Sequence, residues 1–109
     1  MAGFLSRPDE EQVKCHHPKP ILLNTGVATE PYSWDPNSIP ISVFRIGRLF
    51  ILNLPSEFTT MSGRRLRRAI KDVASEMGVQ NPVVTIAGLA NSYTHYVTTF
   101  EEYQGQRYE

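Results

Sequence analysis

The segment "LFILNLPSEFTTMSGRRLRRAI", residues 49–70, decides the fold because its periodicity changes from that of a strand to that of a helix. Residues 49–54 are an almost continuous apolar run, which is typical of a buried strand. Pro55 ends this strand, since proline has no N–H to donate to a sheet. From about Thr60 the apolar residues recur with helical spacing. The segment therefore predicts a strand that leads directly into a helix.

The chain on the amino-terminal side predicts a partner for this strand. Residues 41–46 form a second strand-like run, and Gly47 and Arg48 follow as a tight turn. Two such runs joined by two turn residues are typical of a β-hairpin. Residues 1–38 are polar and rich in proline, and they predict extended chain and turns.

The helix predicted over residues 60–77 has an apolar side and a basic side. We expect it to pack through an apolar stripe of five residues, Leu66, Ala69, Ile70, Val73 and Met77. Its opposite side carries four cations, Arg64, Arg67, Arg68 and Lys71. Gly78 supplies a helix stop.

A second strand and a second helix follow. Residues 82–88 are a short apolar run closed by Gly88, which predicts a strand. Thr99 and Glu102 have the spacing of a capping box, which marks the start of a helix. The order β-hairpin, helix, strand, helix indicates a mixed α/β fold.

Composition excludes several classes of protein. The chain has 109 residues, 40% of them hydrophobic and 20% charged, which is the composition of a globular domain. Its apolar runs are far shorter than the roughly 20 residues of a membrane span. It opens without a cationic region followed by a long apolar segment, so we expect no secretory signal in it. The formal net charge is zero, and we expect no nucleic-acid partner.

Candidate site residues follow the predicted strands. Glu57 lies just beyond residues 49–54, and Tyr93, His95 and Tyr96 follow the strand at residues 82–88. Loops at the carboxyl ends of strands carry sites in α/β proteins, so we expect these two loops to converge. The pattern leaves two roles open for Glu57. It is either an exposed residue favoured by the dipole of the following helix, or a metal ligand or acid–base carboxylate.

Two other clusters have a structural and a functional interpretation. "RRLRR", residues 64–68, is either a solvated helix face, with Arg68 paired to Asp72, or an anion-binding site. Cys15 lies beside two histidines, His16 and His17, but no second ligand cluster follows at a zinc-site spacing. The single cysteine is either a free thiol or half of a disulfide with a partner elsewhere.

Three blocks of the chain resemble one protein family. They are "CHHPKPILLNTG" (15–26), "PSEFTTMSGRRLRRAI" (55–70) and "AGLANSYTHYVTTFEEYQGQRYE" (87–109). They are similar to the neutral ceramidases, zinc-dependent amidohydrolases that hydrolyse the N-acyl bond of ceramide to sphingosine and a fatty acid. Members of this family are several times longer than this chain. The resemblance implies that residues 15–109 are an incomplete, C-terminal portion of the catalytic domain and that residues 1–14 are a leader outside the family or poorly ordered.

The resemblance implies a zinc (Zn2+) site and its ligands. In the family, two upstream histidines, a glutamate of the "EFTTM" block and the tyrosine that opens "YVTT" hold the metal. Glu57 and Tyr96 occupy these last two positions. Tyr108, in "QRYE", matches a second active-site tyrosine that hydrogen-bonds around the reacting carbonyl. Cys15 matches a half-cystine whose partner lies upstream.

The resemblance also implies a setting for the protein. A secreted or cell-surface location is expected, with ceramide taken from a membrane surface and the rest of the catalytic domain as partner. The two zinc histidines and the active-site serine of the family have no counterpart in this chain, since its three histidines, His16, His17 and His95, do not occupy those motifs. We therefore expect the isolated chain not to hydrolyse ceramide. The alternative is a truncated, non-catalytic product that acts as an interaction or anionic-ligand-binding module.

Overall fold

The computed structural model describes residues 6–105 of the chain. The chain divides into two compact units between Asn37 and Ser38. The elements, in chain order, are α1 (Glu10–His16), a 3-10 turn (Thr25–Val27), β1 (Ser42–Ile46), β2 (Leu49–Asn53), β3 (Glu57–Phe58), α2 (Thr60–Glu76), β4 (Val83–Ala87), β5 (Tyr96–Val97) and α3 (Phe100–Gln104). No helix in this part of the chain is long and apolar enough to cross a membrane.

The first unit contains a helix that the sequence analysis did not predict. Asp9 and Gln12 form a capping box at the start of α1, with each side chain accepting from the other's backbone N–H. The amides of Gln12 and Asn24 also exchange two hydrogen bonds of 3.2 Å. The helix has no buried residue, so no apolar period marks it in the sequence. The domain boundary predicted between residues 14 and 15 falls inside α1 and stays a prediction.

The second unit begins with the predicted hairpin. β1 and β2 are antiparallel, and Ile46 pairs with Leu49 across the turn. Gly47 in this turn has a φ of +59°, a conformation that glycine adopts without steric cost. The hairpin prediction is confirmed, and β2 becomes the central strand of a three-stranded sheet ordered β1-β2-β4.

β2 and β4 run parallel, and α2 connects them. Their register pairs Leu49 with Val83 and Asn53 with Ala87. Parallel neighbours need a crossover connection, and α2 supplies it by packing on one face of the sheet. The buried core between helix and sheet consists of Phe50, Leu52, Ala74, Val79 and Val84, bordered by Leu54, Leu66, Ile70 and Ile86.

The packing face of α2 differs from the predicted stripe. Leu66 and Ile70 border the core as predicted, and Ala74 is buried there. The contact line therefore follows the i, i+4 ridge of the helix. Val73 and Met77 lie beside this ridge and are 52% and 62% exposed, so the prediction that they pack in this chain is wrong. Ala69 is likewise exposed.

Strand β1 exposes an unusual amount of apolar side-chain surface. Val43, Phe44 and Ile46 are each more than half exposed, although they extend from both faces of the strand. β1 is also an edge strand. Large apolar surface at a sheet edge is typical of a contact surface rather than of a solvated one.

A cluster of polar side chains fastens the start of α2 to the start of α3. Thr59 caps α2 and donates from its hydroxyl to Oε2 of Glu102 at 2.5 Å. Glu102 and Thr99 form the capping box of α3, which confirms that prediction. The buried hydroxyl of Ser62 donates to the Val97 carbonyl at 2.6 Å. The hydrogen bond from Thr59 lowers the pKa of Glu102, so this carboxyl stays charged as an acceptor.

An ion pair links the same two helices at the surface. Arg65 donates to Oε1 of Glu101 at 3.0 Å. Arg68 and Asp72, which both lie among the described residues, form no ion pair with each other, so that prediction is wrong. The hydrogen bond from Arg65 lowers the pKa of Glu101 from 4.5 to about 2. The pair therefore adds stability above pH 4.5 and loses it as the pH falls towards 2, and solvent screening keeps this contribution small.

The substitution Ser62→Ala tests the polar cluster. It removes the hydroxyl that joins α2 to the Val97 carbonyl, and we expect the free energy of unfolding to fall by about 1–2 kcal/mol. Urea titration measures this change. Ser75→Ala is the matched control, because the Ser75 hydroxyl is exposed and bonds only within its own helix. Equal effects of the two substitutions would contradict a stabilising role for the cluster.

Candidate functional site

The site lies where the chain continues past the carboxyl ends of β2 and β4. There β3 and β5 form a second, two-stranded parallel sheet. Glu57 pairs with Tyr96, and Phe58 pairs with Val97. The two loops predicted to converge are therefore joined by main-chain pairing, with two of the candidate residues directly opposite each other.

The pairing also determines the face of the sheet from which the two side chains extend. Side chains of a strand alternate between the faces of a sheet, and register partners extend from the same face. The carboxylate of Glu57 and the phenol of Tyr96 therefore share a face. Both residues are half-buried.

The two connections that lead to this small sheet differ in length. Three residues, 54–56, separate β2 from β3, whereas eight residues, 88–95, separate β4 from β5. The longer connection folds into a compact loop, in which Leu89, Asn91 and His95 have φ values of 60°, 69° and 62°. Non-glycine residues adopt this left-handed conformation rarely and often near functional sites.

Hydrogen bonds fix the long loop against the short connection. The N–H of Glu57 donates to the His95 carbonyl at 2.9 Å, and the N–H of Thr94 donates to the Pro55 carbonyl at 2.8 Å. The hydroxyls of Ser56 and Thr94 are also hydrogen-bonded to each other. Ser56 is buried, so these contacts are shielded from water.

The carboxylate of Glu57 has a side-chain partner in the same loop. The Tyr93 hydroxyl donates to its Oε1 at 2.8 Å. The ring of Tyr93 packs edge-on against that of His95, with 5.2 Å between the ring centroids. The sequence analysis named Tyr93 and His95 as candidates without a role. Only the observed loop conformation shows that Tyr93 reaches back to Glu57.

Gly88 allows the two connections to approach each other closely. A Cβ atom at this position would lie 3.0 Å from the carbonyl oxygen of Ser56. A side chain there would force the two connections apart. The glycine that ends the predicted strand is thus a requirement of the site as well.

An open groove of about 580 Å³ lies beside Glu57. It is bounded by α2 and the end of β4, with a lining of mixed polarity that includes Glu57, Arg64, Arg67, Thr85, Ile86 and Leu89. Pockets that bind small molecules are usually lined mainly by apolar side chains, whereas polar residues outnumber apolar ones in the lining of this open groove.

A second groove of about 420 Å³ lies on the basic side of α2. Arg64, Arg67, Arg68 and Lys71 line it together with Asp72 and the start of β4. The arginines of "RRLRR" are exposed, as expected of a solvated helix face. The alternative of an anion-binding module depends on this groove and stays a prediction.

The donors of the site fit part of a zinc coordination sphere. Within residues 6–105, no three histidine, cysteine, aspartate or glutamate side chains are grouped so that they could hold a metal ion. Glu57 and Tyr96 offer two oxygen donors on one face. Zinc accepts oxygen, nitrogen and sulfur ligands and takes four in most sites. The two residues could therefore supply two oxygen donors to a metal ion, and a four-ligand zinc site would need two more donors than this pair offers.

The other candidates lie apart or outside the described residues. His16 ends α1 and His17 follows it, in the first unit. Cys15 lies on the same helix, is exposed, and has no second cysteine in the chain to pair with. Tyr108, predicted to be catalytic, lies outside the residues that the structure describes.

These features define the class of the segment as a mixed α/β unit with a candidate site at the ends of its parallel strands, which confirms the predicted fold class. The family follows from a family model, described as "Neutral/alkaline non-lysosomal ceramidase, N-terminal", that matches residues 1–109. The chain belongs to this family, as its sequence blocks predict.

Individual relatives agree with this assignment. The chain is 57% identical to neutral ceramidase 1 of Arabidopsis thaliana over 98% of its length. It is 53% identical to the neutral ceramidase of Drosophila melanogaster over 97% of its length. It spans only 14% and 15% of these two relatives.

Solved structures show the same fold. The neutral ceramidase of Pseudomonas aeruginosa is 45% identical and superposes with a TM-score of 0.84 over 96% of this chain and 16% of its own. A structure described as "Ceramidase complexed with C2" gives a TM-score of 0.86 at 45% identity, over 99% of this chain and 16% of its own. The described fold thus corresponds to one part of a much larger protein in this family.

The substitution Gly88→Ala tests the close approach at the site. The new methyl group would meet the Ser56 carbonyl, and we expect the free energy of unfolding to fall by about 1–3 kcal/mol. Gly63→Ala is the control. Gly63 lies within helix α2, and a Cβ atom there would make only ordinary contacts, of 3.7 and 3.8 Å. There alanine is expected to be neutral or to stabilise by up to about 1 kcal/mol. A Gly88→Ala variant as stable as Gly63→Ala would contradict this account.

Proposed function

We propose that this chain supplies half of the zinc site of a neutral ceramidase, which hydrolyses the N-acyl bond of ceramide to sphingosine and a fatty acid. The observation that carries the proposal is the register pairing of Glu57 with Tyr96. The family resemblance assigns these two residues as ligands, and they lie 39 positions apart in the sequence. The assignment rests on sequence blocks alone, so the pairing of the two residues on one face is an independent observation.

Glu57 and Tyr96 would hold the metal through oxygen atoms, together with two histidines from other parts of the enzyme. When bound, zinc supplies Lewis acidity, which activates water and polarises a carbonyl. A rigid pair of strand ends suits this task because main-chain pairing already fixes the backbone of both residues before the metal binds.

The chain's other residues would orient the substrate and exclude water. Tyr108 is proposed to donate a hydrogen bond to the oxygen of the reacting carbonyl, where negative charge develops. The groove beside Glu57 would receive part of the substrate, since Ile86 and Leu89 give it an apolar portion and its arginines a polar one. These roles extend the family resemblance to positions in this chain.

The setting of the enzyme is proposed on the same basis. Ceramide is a lipid, so the substrate would be taken from a membrane surface, and a secreted or cell-surface location is proposed for the protein. There a disulfide between Cys15 and an upstream cysteine would persist. The exposed apolar residues of β1 would contact the rest of the catalytic domain.

The isolated 109-residue chain is expected to show no ceramide turnover. Two of four zinc ligands bind the metal poorly, because structural and catalytic sites depend on the full ligand set. The measurement is release of fatty acid from ceramide by the purified chain with added Zn2+. Turnover that disappears in Glu57→Ala would contradict the proposal that the remaining ligands lie elsewhere.

The ligand roles can be tested in a segment-exchange enzyme, in which this chain replaces the matching segment of Arabidopsis neutral ceramidase 1. We expect Glu57→Gln and Tyr96→Phe each to lower kcat/KM and zinc affinity by at least about 10–100-fold, since each removes or weakens a ligand. Zinc content by elemental analysis and ceramide hydrolysis are measured together.

Glu76→Gln is the matched control for this experiment. It neutralises an exposed carboxylate at the other end of α2, and activity is expected to stay within about twofold of the parent. Zinc content and activity that are equally unaffected in Glu57→Gln would contradict the proposed function.

A further inference from the structure

The hydrogen bond from Tyr93 to Glu57 is not used by any role assigned above. The Tyr93 hydroxyl lies 2.8 Å from Oε1 of Glu57. Glu57 has a flexible side chain, and its backbone pairing does not determine where its carboxylate is directed. A donor on one carboxylate oxygen restricts that direction and leaves the other oxygen, Oε2, available.

The long loop holds Tyr93 in place for this contact. Thr94, the next residue, is bonded through its N–H to the Pro55 carbonyl at 2.8 Å and through its hydroxyl to Ser56. His95 follows with a φ of 62°, and its carbonyl accepts the N–H of Glu57. The ring of Tyr93 packs against the ring of this same histidine. The two residues that follow Tyr93 are therefore bonded to the connection that carries Glu57, and this keeps Tyr93 beside the carboxylate that it contacts.

We propose that Tyr93 is the positioning residue of Glu57: its hydroxyl holds Oε1 and directs Oε2 towards the metal. The inference rests on the proposed function, in which Glu57 is a zinc ligand. Ligating carboxylates are commonly held by a second hydrogen-bonded residue, and removing such a residue lowers metal affinity about 10–100-fold. Tyr93 contacts Glu57 and acts through it.

The test uses zinc affinity of the segment-exchange enzyme, measured by competition with a chelator of known affinity. Tyr93→Phe keeps the ring and removes only the hydroxyl. We expect the zinc dissociation constant to rise about 10–100-fold. Tyr32→Phe removes the same group from an exposed tyrosine in the first unit and is expected to leave the affinity unchanged.

A double-mutant cycle separates positioning from other effects. In the Glu57→Ala background, which removes both the ligand and the acceptor of the hydrogen bond, we expect Tyr93→Phe to cause no further loss of zinc affinity, because its effect passes through the carboxylate. An equal further loss in that background would overturn the inference, since Tyr93 would then act independently of Glu57. The melting temperature of the metal-free protein is expected to be the same with and without the hydroxyl.

The outcomes distinguish this inference from the proposed function. Unchanged zinc affinity in Tyr93→Phe together with weakened affinity in Glu57→Gln overturns the positioning role and leaves the ligand role intact. Unchanged affinity in both variants overturns the ligand role and the inference with it. A lower melting temperature of metal-free Tyr93→Phe at unchanged zinc affinity assigns the hydroxyl to folding and also overturns the inference.

Discussion

The parallel pairing of β2 with β4 is the constraint on which the rest of the structure depends. It places two strand ends side by side, and β3 and β5 continue the parallel arrangement one step further. Glu57 and Tyr96 become neighbours through this main-chain register. The site is therefore a consequence of how the sheet is built, and helix α2 makes that sheet possible by covering one face of it.

Polar groups join the starts of α2 and α3 to the site, in addition to the apolar packing of α2 on the sheet. One carboxylate, that of Glu102, accepts from Thr59 before α2 and from Thr99 before α3. Ser62 joins α2 to the carbonyl of Val97, the residue after Tyr96. Polar networks of this kind specify a single arrangement only when their members are satisfied, and no buried side-chain polar atom described in this structure lacks a partner. The segments on both sides of the site are thus joined by short, directional contacts.

Local patterns predicted the elements that local chemistry determines. The hairpin, helix α2, strand β4 and the capping box of α3 each carry a signal within a few residues, and each is confirmed. The two-residue strands β3 and β5 carry none, since they exist only as partners of each other. Helix α1 has no apolar stripe, and only its capping box marks it.

The predictions that were wrong concern contacts between residues that lie far apart in the sequence. Arg65 pairs with a glutamate 36 positions away, while the predicted partners four residues apart do not pair. The residues of α2 that pack on the sheet lie to one side of the predicted stripe, because the position of the helix on the sheet determines which of its residues are covered. Glu57 and Tyr96 were candidates from their position after the predicted strands, and the family blocks assigned them a ligand role, which stays a prediction. The contact between Tyr93 and Glu57 depends on a left-handed loop that no spacing rule describes.

The unequal connections before β3 and β5 determine where this segment tolerates insertions and deletions during evolution. The short connection, residues 54–56, has no slack, so loss of one residue would bring Phe58 opposite Tyr96 and turn the carboxylate of Glu57 to the other face. The long connection, residues 88–95, has five residues more and can change in length while the pairing persists. Divergence among relatives should therefore accumulate as length variation after β4, with a constant spacing between β2 and Glu57.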